Sequence, residues 1–139
     1  MSVYGKLNET DLSEQAQLIG GREQSMRYLV QLSRSTPAFS DSERTPETER
    51  FGCEARVWMT ANYRSDDRLT LRVDSEARVV KALLLIIASA LDGATRAQVA
   101  AYDLDAHLQR VGLDAFLTAS RRSGLRAVLR TTKMVKSEQ

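Results

Sequence analysis

Residues 55–91, ARVWMTANYRSDDRLTLRVDSEARVVKALLLIIASAL, carry the two periodicities that decide the fold. Ala55, Val57, Met59, Ala61 and Tyr63 alternate with more polar residues, the spacing of a strand with one buried face. Trp58 breaks that alternation and is assigned to the opposite face. Ser65-Asp66-Asp67-Arg68 predicts a turn. Leu69, Leu71 and Val73 then alternate with Thr70 and Arg72, which completes a hairpin. Asp74 or Ser75 offers an oxygen to cap a following helix. That helix runs to about Leu91 and is apolar nearly all round after Lys81, so it is expected to be the buried central helix. Gly93 ends it.

Upstream, Asp11 to Ile19 and Glu23 to Arg34 read as helices broken apart by Gly20-Gly21, with Met26, Leu29, Val30 and Leu32 near one face of the second. Thr36-Pro37 stops it, because the residue before proline avoids helical backbone angles. Ala38 to Arg50 is polar and reads as loop, leading into a short strand just before Gly52. Downstream, helices are expected over Arg96 to Tyr102, Asp105 to Val111, and about Ser120 to Met134. Helices, then strands, then helices predict an α+β fold with a small antiparallel sheet covered on one side by helices.

Bulk properties narrow the function. A chain of 139 residues fits one domain, here 1–139. With 42% hydrophobic and 27% charged residues it reads as an ordinary globular protein. Twenty basic residues against eighteen acidic ones give +2, too even to argue for nucleic acid or an anionic membrane. The longest apolar run, Ala82 to Ala88, is far short of the roughly 20 residues a membrane-spanning helix needs. The first residues hold no apolar signal region, and a cytoplasmic or equivalent reducing compartment is expected. One cysteine and one histidine cannot form a disulfide or a four-ligand zinc site. No Walker loop, dinucleotide fingerprint or nucleophile elbow is present.

Attention therefore falls on Cys53, in Phe51-Gly52-Cys53-Glu54-Ala55-Arg56. A thiolate is the strongest nucleophile available to this chain. Polar loop precedes it and a strand follows, so it is expected at a loop tip, with Gly52 permitting a sharp turn. The plain alternative is a small buried hydrophobe, the commoner fate of a lone cysteine.

Several motifs together resemble the SufE/CsdE sulfur-acceptor family. Gly52-Cys53-x-x-x-Val57-Trp58 is similar to its acceptor-cysteine motif. Asp41-Ser-Glu-Arg44-Thr45-Pro46 resembles the loop before it, and Pro37 stands at the family's distance from the cysteine. Asp74-Ser75-x-Ala77-x-Val79-Val80-Lys81-x-Leu83 is similar to the start of the family's long helix. Val111-Gly112-Leu113 and Leu117-x-x-Ser120-Arg121-x-x-Gly124-Leu125 resemble its C-terminal signature. The resemblance runs from about Arg22 to Arg130, leaving 1–21 outside it. Departures are Arg22 and Met26, where the family has Trp and Tyr; Arg50; Val73 and Ala82 in place of glycines; and His107 in place of a large apolar residue.

The resemblance implies an α+β fold with a three-stranded antiparallel sheet, and no cofactor. It implies that Cys53 accepts persulfide sulfur from a pyridoxal-phosphate cysteine desulfurase of the SufS/CsdA kind and stimulates that enzyme. The sulfur would then pass to a downstream acceptor such as an iron–sulfur scaffold. Arg121 matches the family's Ser-Arg pair and is the candidate cation beside the thiol. In the first turn of the last helix its charge opposes the helix dipole by about 0.3–1 kcal/mol, which points to another job. Gly52, Glu54, Arg56 and Asp74 are candidates for partner contact, Asp74 also as a helix cap. His107 is read as a helix-face residue with no catalytic role. Three alternatives stand beside this reading: a module that activates a desulfurase without holding sulfur, a cysteine hydrolase using Cys53 with His107, and a nucleic-acid binder.

Overall fold

The computed structural model describes residues 4–50 and 55–134. The 55–75 hairpin forms as its periodicity requires: β2 (Val57–Tyr63) pairs antiparallel with β3 (Leu69–Ser75), in the register Val57↔Ser75 through Tyr63↔Leu69. Val57, Met59 and Tyr63 on β2, with Leu69, Leu71 and Val73 on β3, are buried on one face. Trp58 stands on the other face beside its cross-strand neighbour Asp74. A two-residue segment, β1 (Glu49–Arg50), pairs antiparallel with β2 through Glu49↔Trp58 and Arg50↔Val57.

The inner face packs on α3 (Arg78–Leu91), whose Leu83, Leu84, Ile86 and Leu91 are at most 1% exposed. Each such side chain contributes roughly 2 kcal/mol from burial, so this helix is the centre of the fold. α2 (Arg22–Arg34) packs directly on it, and α1 (Glu9–Ile19), α4 (Arg96–Ala101), α5 (Leu104–Arg110) and α6 (Ala119–Lys133), with a 3-10 turn at Asp114–Phe116, complete the same hydrophobic core. The fold is α+β, as expected. α1 begins earlier than its apolar pattern suggests. Asn8 and Asp11 exchange bonds with each other's backbone in a capping box, which holds the polar Glu9 and Thr10 in the helix. Before it, Gly5 has φ +68° and lies so close to α3 that a Cβ would collide with the Ala90 carbonyl. Only glycine fits there.

One expectation fails at the start of α3. Neither Asp74 nor Ser75 is its N-cap; that residue is Ala77, without a side-chain bond. β3 continues through Ser75, so Asp74 is still a strand residue and its carboxylate is directed elsewhere. Ser75 Oγ donates to the Arg56 carbonyl (2.7 Å) and accepts from the Ala77 amide (3.2 Å), tying the two strand ends together.

At its Leu69–Leu71 end the outward edge of β3 is closed by the chain that follows α3. Leu69 N–H bonds to the Ala94 carbonyl (2.9 Å), Gly93 N–H to the Leu69 carbonyl (2.6 Å), and Leu71 N–H to Asp92 Oδ1 (2.9 Å).

Candidate functional site

Gly52, Cys53 and Glu54 lie outside the described residues; the strands on either side of them do not. The chain leaves the sheet at Arg50 and re-enters it at Val57, two residues paired side by side. Arg56 Nη2 bonds Glu49 Oε1 at 2.9 Å, and the Arg56 amide bonds Glu76 Oε1 at 3.2 Å. The Arg56 guanidinium beside Glu49 holds that carboxyl below its ordinary range.

On the outer face Glu49, Trp58 and Asp74 stand in a row across the three segments. The chain between α2 and β1 closes over this end of the row. Phe39 N–H donates to Asp74 Oδ2 at 2.8 Å and Arg44 Nη2 to the same oxygen at 3.1 Å. From α3, Lys81 Nζ lies 3.3 Å from Asp74 Oδ1 and donates to the Thr36 carbonyl at 2.8 Å. The Asp74 side chain is 1% exposed. Burial pushes its carboxyl pKa up, but the Phe39 amide, Arg44 and Lys81 outweigh burial and leave it below the usual aspartate value. Asp74 therefore presents no surface to a partner in this conformation; it positions the chain that covers the site. Nor is the preceding segment loose. Thr48 Oγ1 donates to the Glu43 carbonyl, Glu49 N–H to that of Thr45, and Met59 N–H to that of Thr48.

Trp58 is 1% exposed, with the Arg44 guanidinium carbon 4.4 Å and that of Arg56 5.1 Å from its ring centroid. Both distances are in cation–π range. Arg56 and Asp74, two of the residues singled out from sequence, thus meet around one indole. Arg44, Trp58 and Lys81 complete the group. Their identity was visible in the motifs, but nothing local signalled that Arg44 would reach a carboxylate 30 residues further on.

Arg121 is placed at the start of α6, which Thr118 caps through the Arg121 amide. Its Nη1 donates to the Phe116 carbonyl at 3.2 Å, which gives this cation a structural duty on the 3-10 turn. Arg122 and Arg126 of the same helix pair with Asp105.

His107 lies on the buried face of α5 and is fully shielded from solvent. Its Nε2 faces Gln15 Oε1 at 2.8 Å and its Nδ1 faces Tyr102 Oη at 2.8 Å. The carbonyl oxygen can only accept, so Nε2 carries the proton and Nδ1 accepts from the tyrosine. Burial pushes the imidazole pKa down to about 4. Neither nitrogen is available to a nucleophile, which removes the basis for a Cys53–His107 hydrolase. Among the described residues, no group of His, Cys, Asp and Glu could hold a metal ion, and no helix is long and apolar enough to cross a membrane.

The fold and the arrangement around Trp58 define an α+β protein whose single thiol falls, in chain order, between two paired strands that border a buried ion cluster. The chain belongs to the SufE family: the family described as SufE, Fe-S metabolism associated domain, matches residues 10–135. The sulfur acceptor protein CsdE of Escherichia coli K12 is 34% identical over 117 residues, covering 81% of this chain and 80% of that protein. An uncharacterized SufE-like protein of Rhizobium etli is 28% identical over 111 residues, covering 78% and 75%. A solution structure of a hypothetical protein from Thermus thermophilus has a TM-score of 0.67 at 20% identity, covering 88% of this chain and 90% of that one. That likeness concerns the fold alone.

Proposed function

We propose that the protein is a sulfur acceptor and carrier. Cys53 takes sulfur from the persulfide of a pyridoxal-phosphate cysteine desulfurase, the protein stimulates that enzyme, and the sulfur goes on to iron–sulfur cluster assembly or a related transfer. The observation that carries this reading is family membership across nearly the whole chain, with the only thiol in the sequence standing in the acceptor motif.

The chemistry needs few groups. The Cys53 thiolate attacks the outer sulfur of the donor's persulfide. A new S–S bond forms on Cys53, the donor's S–S bond breaks, and its electron pair leaves on the donor cysteine as thiolate. Nothing is oxidised or reduced overall. Attack on the inner sulfur would give a mixed disulfide and release sulfide, so access to the correct atom governs the outcome. An ordinary thiol with pKa about 8.5 is roughly 3% ionised at pH 7, and neighbouring cations raise that share. Arg121 is one proposed cation. Glu54 and Arg56 are proposed partner contacts, with Gly52 giving the backbone room to present the thiol. Asp74 serves indirectly, by holding the covering chain.

Intact-mass measurement after incubation with a desulfurase and free cysteine tests this. Wild-type protein is expected to gain sulfur that reductant removes, and Cys53→Ser to gain none. Full stimulation of the desulfurase by Cys53→Ser, with no sulfur on the wild type, would instead make the protein a non-covalent activator.

A further inference from the structure

A net charge of +2 hides an opposition between two helices. α1 carries three acids, Glu9, Asp11 and Glu14, and no base. α6 carries five cations, Arg121, Arg122, Arg126, Arg130 and Lys133, and no acid. Glu14 and Arg130 are exposed and, among the described residues, have no ion-pair partner. An open groove beside α1 is lined by Asp11, Glu14, Leu18 and Tyr28, and its one cation, Lys6, sends its ammonium over Gly93. Each helix also leaves a large apolar side chain in solvent: Leu18 is 60% exposed, and Met134, the C-cap of α6, 74%. Scattered exposed hydrophobes are ordinary. Here each stands on a helix whose charge is opposite to that of the other.

The two helices flank α5. Arg110 of α5 pairs with Glu9 on one side, and Asp105 of α5 pairs with Arg122 and Arg126 on the other. Along α5, His107 meets Gln15 and Arg110 meets Glu9, so α1 runs antiparallel to it. Tyr102 meets Lys133 and Asp105 meets Arg126, so α6 does the same. α1 and α6 therefore run in one direction, on either side of one short helix. A two-fold axis along them sets the α1 of each copy beside the α6 of the other, acids against bases, and closes the assembly at two chains. We propose that the protein forms this homodimer, with the acidic face of α1 docked on the basic face of α6 of a second copy. The complementary surface is on the chain itself, which favours a second copy over any other anionic partner for α6. Exposed ion pairs are individually weak, so the dimer is of micromolar stability and sensitive to salt. None of these contacts lies in β1 or β2, so the strands flanking residues 51–54 take no part in them.

Sedimentation velocity on the full chain tests this. At about 20 mM salt, wild type is expected to sediment at twice the chain mass, and at about 500 mM to fall toward monomer as the charges are screened. Glu14→Lys sets cation against cation at both contacts of a dimer, and Arg130→Glu sets acid against acid. Each variant alone is expected to associate at least about tenfold more weakly. Both positions are exposed, and circular dichroism and Tm check that the variants fold. Mixed in equal amounts, the two variants are complementary at both contacts, and the dimer is expected to return as a heterodimer. Cys53→Ser should dimerise as wild type does. A wild type that stays monomeric at low salt and about 200 μM, a dimer that both reversals leave unchanged, or a mixture that gains nothing over its components would overturn the proposal. So would growth to masses beyond two chains, the mark of a contact that does not close.

Discussion

The protein buries two ionisable side chains in opposite ways. Asp74 stays charged: two cations and a backbone amide converge on it, and its pKa lies below the usual value. His107 stays neutral: a tyrosine hydroxyl and an amide oxygen fill its two nitrogens, and burial disfavours the imidazolium. The Asp74 cluster joins β3, α3 and the chain before β1, at the strands that flank the proposed acceptor segment. The His107 chain continues from Gln15 Nε2 to Ser89 Oγ (3.1 Å) and joins α1, α3 and α5. Charge is kept where β3, α3 and the chain before β1 are pinned together, and a neutral relay suffices where the task is to hold helices together.

The comparison breaks hardest at Asp74. Asp74→Ala strands Lys81, whose side chain is only 8% exposed, and Arg44 without their counter-ion. A loss of about 3–5 kcal/mol in urea unfolding is expected, since removing one member of a buried pair leaves an uncompensated charge.

A smaller effect separates the two clusters by pH. His107 is held near pKa 4 in the fold, against 6.5 when unfolded. Between those values the unfolded chain binds the extra proton, so stability is complete above pH 6.5 and declines as pH falls toward 4. The depressed Asp74 pKa acts only below its ordinary value of 3.8. From pH 7 to 4.5 wild type should therefore lose about 2–3 kcal/mol. His107→Phe should lose this dependence, and Asp74→Asn should keep it. A wild-type profile flat over that range would show that the imidazole is not held neutral by the fold.

The smallest effect is expected at the surface. Glu49→Gln removes the partner of the exposed Arg56 guanidinium. Solvent screens such pairs, so Tm should stay unchanged, while salt dependence of desulfurase stimulation should alter if Arg56 contacts the partner.

The parts of the fold legible in sequence were those governed by local periodicity. Alternation at Val57, Met59 and Leu69, Leu71, Val73 set the hairpin and its buried face. The out-of-phase Trp58 marked the other face, and the apolar run after Lys81 marked the central helix. Asp74 was misread as a cap because a carboxylate before a helix has the same local pattern whether it caps or turns to partners 30 and 35 residues upstream. The burial of His107 was not legible because its partners come from other segments, above all Gln15, 92 residues away. Of the site, the motif around Cys53 was legible. The stacking of Arg44 and Arg56 on one indole was not, because it depends on how the chain before β1 folds back across the sheet.

The seam over the Leu69–Leu71 end of β3 has a consequence for behaviour at high concentration. An open strand is a template on which further copies can polymerise. Here Asp92 and the backbone at 93–94 occupy the positions a neighbour's strand would need. Opening that seam, as Asp92→Ala would begin to do, should favour insoluble assemblies before any change in the chemistry of the thiol.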